Sequence, residues 1–168
     1  RQGHWGYPCP EIASASDVPG DQGGLVNLAW HASRLDPWPL GEISVYSLWR
    51  ALPAARVAML SPQTPVTVTE VGLPGIRHQV LGDREFFWEY LHSVTAYQLP
   101  AYTSAVPTLL DSTAVHSGRH DFQVIAHGQD QDDWWASPPD SGYSVDNLAP
   151  PMPRNLTGEQ VYGSVALA

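Results

Sequence analysis

Seven histidines and a short run of carboxylates are the residues of this 168-residue chain best equipped for chemistry. His116 and His120 stand four apart, a spacing at which two imidazoles on one helix face hold zinc. Ser117-Gly118-Arg119 lies between them and reads as a turn entering a strand, and no further ligand stands at usable spacing. His127 falls at a strand end and His31 just after Trp30, where a satisfied surface histidine is the expected state. Asp130-Gln131-Asp132-Asp133 offers hard oxygen ligands of the kind calcium takes, but the central glycine and closing glutamate of an EF-hand loop are missing, so a solvated acidic loop is expected. Gly-x-Ser-x-Gly, the P-loop and Gly-x-Gly-x-x-Gly are all absent. The expectation is no catalytic residue, no cofactor and no metal.

Aromatic residues offer a different chemistry. Trp134 and Trp135, with Tyr143, are candidates for a platform that stacks on sugar or protein, the competing role being to cover the edge of a core. Cys9 is the single cysteine, which permits neither an internal disulfide nor a Cys-x-x-Cys knuckle. Asn155-Leu156-Thr157 fits a glycosylation sequon, meaningful only in a secretory host that reads it.

Composition limits what could position these groups. The net charge of −9, with eight Lys plus Arg, opposes phosphate backbones and anionic lipid, so neither nucleic-acid binding nor membrane docking is expected. No stretch approaches the roughly 20 apolar residues of a membrane-spanning helix. Sixteen prolines and 14 glycines with only 15% charged residues oppose long helices and favour short strands joined by turns. The start at Arg1, without a signal peptide, reads as a mature product or a fragment.

The two-residue period locates the strands. In Gly24–Trp30 it sets Val26, Leu28 and Trp30 on one face, after the turn-rich Pro19–Gly24. Ile43–Arg50 follows, with Tyr46 and Leu48 facing the core, and Leu35-Asp-Pro-Trp-Pro-Leu-Gly41 between the two reads as a loop. Val66–Val71 and Ala101–Val106 read as further strands, Phe86–Val94 as a strand by its aromatic content with a short helix as the alternative, and His120–Ala126 sets Phe122, Val124 and Ala126 inward. Ser141–Asp146 closes the set. About seven short strands separated by turns predict an all-β, antiparallel sandwich.

Three stretches together resemble a fibronectin type III domain: Gly24-x-Val-x-Leu-x-Trp30, Ile43-x-x-Tyr46-x-Leu48-Trp49-Arg50, and Phe122-x-Val124-x-Ala126 followed by Ser137-Pro-Pro-Asp-Ser-Gly-Tyr-Ser. Asp17–Gly24 and Ser141–Pro150 are similar to segments of such domains in large secreted bacterial surface proteins. His120 stands where the family has a tyrosine bonded to backbone, and its imidazole has the reach to bond a carbonyl in its place. The resemblance implies an N-terminal extension over 1–11, a fibronectin type III-like domain over 12–150 with a long insertion at about 52–84 after the third strand, and the start of a second domain or an interacting β-tail over 151–168. It also implies an extracellular, non-enzymatic structural or adhesive module.

Terminal segments of this kind are suited to strand addition on a neighbour's sheet edge, building a surface filament or array. Leu156, Val161, Tyr162, Val165 and Leu167 are the candidate assembly residues, and the partners would be neighbouring domains or copies of the chain. The alternative is a carbohydrate- or protein-binding accessory module using Trp134, Trp135 and the insertion.

Overall fold

The computed structural model describes residues 8–57, 75–130 and 132–148, together with the backbone of 158–161 and 164–167. The architecture is antiparallel β. β1 (Glu11–Asp17), β2 (Leu25–His31) and β6 (Ala101–Pro107) form one sheet in the order β1-β2-β6. The larger sheet runs β4 (Ile76–Leu81), β5 (Arg84–Thr95), β3 (Val45–Ala51), β7 (His120–His127), β8 (Trp134–Ala136), and β9 (Asp140–Gly142) also pairs with β7. β8 and β9 are one edge interrupted by Ser137-Pro138-Pro139, since proline has no N–H to give a ladder. Among the described residues a single short helix, α1 (Ala54–Val57), follows β3.

Alternation builds the core between the sheets. Val26, Leu28 and Trp30 of β2 meet Tyr46 and Leu48 of β3 and Phe122, Val124 and Ala126 of β7, all fully buried, with Ile12, Ile43, Tyr102 and Val106 completing the cluster. Trp30 stacks on Tyr102 and meets Tyr46 edge-on, each at 5.7 Å between ring centroids.

The outer face of the larger sheet is buried as well. Trp49, Phe86, Trp88 and Ile125 form a second apolar cluster there. The Arg77 guanidinium sits over Trp49 and Trp88, 5.4 and 5.6 Å from their ring centroids. Trp88 stacks on Phe86 at 4.8 Å, Arg84 covers Phe86 at 4.5 Å, and Tyr90 abuts Trp49 edge-on. Cations and rings thus form one ladder across β4, β5 and β3. Arg77 also donates to the side-chain oxygens of Gln79 and Gln123. Burial draws its pKa down to about 10, which leaves it a cation at neutral pH.

Several elements differ from the sequence expectation. Glu11–Asp17, split there between a loose extension and the domain start, is an edge strand whose residues pair with Val26 to His31. Its alternation is weak because it is built from Ala and Ser, so burial had little side-chain signal to act on. Part of the 52–84 insertion joins the larger sheet as β4, paired with β5 from Ile76↔Glu89 to Leu81↔Arg84. The expected strand Val66–Val71 lies outside the described residues. In the tail, β10 (Gly158–Val161) and β11 (Ser164–Leu167) pair with each other as a separate two-stranded sheet. Val161, Val165 and Leu167 lie on that hairpin, while Leu156 and Tyr162 lie outside the described residues. No helix of the described residues is long and apolar enough to cross a membrane.

Candidate functional site

Three loops meet at one end of the sandwich: 32–44 between β2 and β3, 96–100 between β5 and β6, and 128–133 between β7 and β8. Backbone bonds tie the first to the second, Ala32 N–H to Pro100 O at 2.9 Å and Ala96 N–H to Ser44 O at 3.0 Å. The first is tied to the third by Ser44, whose N–H donates to His127 O and whose hydroxyl donates to Gly128 O at 2.8 Å.

Asp36 anchors this end from inside. It is fully buried, and its Oδ2 accepts the hydroxyls of Tyr46 and Tyr102 at 2.9 and 2.6 Å while Oδ1 accepts Gln98 N–H at 3.0 Å. Tyr46 Oη accepts Ser33 N–H, and Tyr102 Oη accepts the N–H groups of Tyr97 and Leu99. Both tyrosines have raised pKa values, through burial first and the Asp36 hydrogen bond second. Such a filled network holds loops 32–44 and 96–100 in one arrangement over the aromatic core.

The outer surface of these loops is apolar. Trp38 is 80% exposed and Tyr97 68%, with Leu40 and Leu99 about half exposed. Beside them Glu42, Gly128, Gln129, Asp130, Asp133 and Trp135 line an open depression of about 270 Å³. Trp135 packs its inner edge on the main core, so only part of the indole faces the depression. Among the described residues, the side chains of Glu42, Asp130 and Asp133 make no hydrogen bond or ion pair. The opposite end uses its carboxylates otherwise. There Asp17 accepts Val145 N–H and the Asn147 amide, and Asp111 accepts Gly24 N–H and the Ser144 hydroxyl. Those acids hold the Asp17–Gly24 turn against the closing Ser141–Asn147 segment.

His127, expected at the surface, is instead buried because β7 lies inside the larger sheet, and His120, also buried, bonds a backbone carbonyl as expected of the tyrosine position. His120 Nδ1 donates to Gly118 O at 2.8 Å and Nε2 accepts Leu109 N–H at 3.0 Å. The imidazole therefore bonds backbone on both sides, and burial lowers its pKa. Ser47 Oγ accepts the Trp49 indole N–H at 2.8 Å and donates to His127 Nε2 at 2.7 Å. Desolvation brings His127 down to about 4, which suits a neutral acceptor. Both members of this Ser–His pair are almost wholly buried beneath the second apolar cluster, out of reach of a substrate. His116 Nδ1 accepts Gly118 N–H at 2.9 Å, and no group of three His, Cys, Asp or Glu arranged for a metal occurs among the described residues.

The aromatic platform expected from Trp134, Trp135 and Tyr143 is not one surface. Trp134 pairs with His127 at one end of β7, whereas Tyr143 follows Gly142, which pairs with His120 at the other. At about 3.3 Å per residue those ends are roughly 23 Å apart. The most exposed aromatic residues, Trp38 and Tyr97, stand instead on two loops joined through Asp36, and Trp38 has a signal in the sequence: a Trp between two prolines in a loop cannot follow a strand into the core. Comparison with protein-family models, with curated proteins and with solved structures finds no match to this chain.

Proposed function

We propose that this chain is a non-enzymatic, extracellular adhesive module of fibronectin type III type, and that its recognition surface is the loop end bearing Trp38, Leu40, Tyr97 and Leu99. The single observation that carries the reading is the exposure of these four apolar residues on two loops locked together by Asp36. An aromatic ring held in water by a rigid loop has already lost its conformational entropy, which is what makes such residues binding anchors. The fibronectin type III component is supported by the strand order β1-β2-β6 against β5-β3-β7-β8 and by the joining of the Asp17–Gly24 and Ser141–Asn147 segments. The acidic, proline-rich composition supports an extracellular setting.

Coating beads with the protein and measuring adhesion to a panel of cell surfaces and matrix proteins tests this reading. Trp38→Ala and Tyr97→Ala together should reduce adhesion at least about tenfold while circular dichroism stays unchanged, since hot-spot aromatics contribute about 2 kcal/mol or more each. Adhesion that survives both changes would refute the loop-end reading.

A second reading, assembly through the tail, is favoured by the β10–β11 hairpin. It pairs with itself rather than with either sandwich sheet, and a lone two-stranded hairpin is at best marginally stable in water.

A further inference from the structure

Resting on the loop-end reading above, we infer that the partner it takes is a protein segment of basic and apolar chemistry: an exposed aromatic or aliphatic side chain flanked by Lys or Arg. The juxtaposition behind this is four exposed apolar residues on two tied loops, one of which also contributes Glu42 to a carboxylate-lined depression. Leu40 and Glu42 are two residues apart, and the Asp36–Gln98 bond brings Tyr97 and Leu99 beside the same loop. A segment seated on the 32–44 loop at Trp38 and Leu40 therefore continues toward Glu42, which lines the depression with Asp130 and Asp133.

Charge decides the partner. The three loops hold Asp36, Glu42, Asp130, Asp132 and Asp133 against Arg34 as their one cation, a balance of 1 − 5 = −4. Asp36 is spent on its buried network, but the side chains of Glu42, Asp130 and Asp133 have no partner among the described residues, and the chain as a whole carries −9. Ionised carboxylates accept hydrogen bonds and donate none. Covering them with a neutral sugar or an uncharged peptide removes water without supplying compensating charge, whereas Lys or Arg pairs with them as water leaves. At the opposite end Asp17 and Asp111 are occupied by backbone N–H groups and a hydroxyl, so the same argument does not extend to them. The long-range field of an acidic surface steers such a cationic segment to it.

The test pans a random dodecapeptide phage library on the immobilised full chain, with counter-selection on Trp38→Ala and a glycan array probed in parallel. Trp38 is so exposed that its replacement leaves the fold intact, which circular dichroism verifies. The expected result is enriched peptides that combine an aromatic or Leu with adjacent Lys or Arg. Their binding should fall at least about tenfold in a Glu42→Gln, Asp130→Asn, Asp133→Asn variant, and comparably at 1 M salt, where the screening length is about 3 Å. Enrichment without basic bias, or glycan binding lost in Trp38→Ala, would overturn the basic-partner inference and leave the loop-end reading standing. Failure of any peptide to survive counter-selection would overturn the inference too, and the adhesion assay then decides the loop-end reading by itself.

Discussion

His127 concentrates what a single residue does in this fold. Its neutral Nε2 accepts the Ser47 hydroxyl inside the sheet's outer layer, and protonation would set an N–H against that donor. The folded pKa of about 4 lies below the ordinary histidine value of about 6.5, so the unfolded chain takes up the proton first. Stability from this group is complete above pH 6.5, declines as pH falls toward 4, and is gone below that. The loss is on the order of 3 kcal/mol. Urea midpoints measured from pH 7 to 3.5 should fall more steeply for the native chain than for His127→Gln, whose amide still accepts the Ser47 proton. Parallel curves would show that His127 does not set the acid limit. Lowering of the His120 pKa acts with the same sign.

Gly23 shows a close approach at the same scale. Its φ is +77°, and a Cβ there would lie 2.4 Å from the Asp111 carboxylate that accepts Gly24 N–H. Gly20 has a similar φ of +76° but open space around it. Gly20→Ala should therefore cost only the backbone strain, about 1 kcal/mol, and Gly23→Ala at least about 2 kcal/mol more, read as the difference in unfolding free energy. Equal costs would mean that Asp111 moves aside freely.

At the scale of elements, the outer ladder fastens β4 to the rest. Among the described residues β4 pairs only with β5, and its Arg77 reaches past that strand to Trp49 of β3 and Gln123 of β7. A desolvated cation–π contact contributes up to about 2 kcal/mol. Arg77→Ala should release β4 locally: hydrogen exchange of Ile76–Leu81 amides accelerates about 30-fold, which is about 2 kcal/mol, while β2 and β6 change by less than about threefold. Acceleration spread evenly over both sheets would show that the ladder belongs to the global core instead.

For the whole molecule, the question is whether the terminal hairpin is part of the cooperative sandwich. β10 and β11 pair with neither sandwich sheet. Removing residues 151–168 should therefore keep the melting temperature within about 2 °C, since 1 kcal/mol corresponds to about 2 to 4 °C at this size. Under the assembly reading, light scattering of concentrated protein should shift from higher-order species to monomer on the same truncation. An unchanged distribution would remove the tail from any role in association.

How far the sequence reaches follows from how strong each local pattern is. Val26, Leu28 and Trp30 alternate with Asn27 and Ala29, and Phe122, Val124 and Ala126 do the same, so a period of two was enough to name residues that are fully buried. Loop 35–41 was equally plain, because two prolines and a glycine leave no ladder to join. The all-β class and the inward faces are thus properties of local alternation and turn chemistry. Which loops share an end is set by strand order, and strand order is a matter of pairing between segments far apart in sequence. That pairing separates Trp134 from Tyr143 along β7, joins the loop of Trp38 to the loop of Tyr97 across the Asp36 network, and lays Arg77 over Trp49 and Trp88. No local pattern encodes these neighbours, because each depends on contacts whose partners lie tens of residues away.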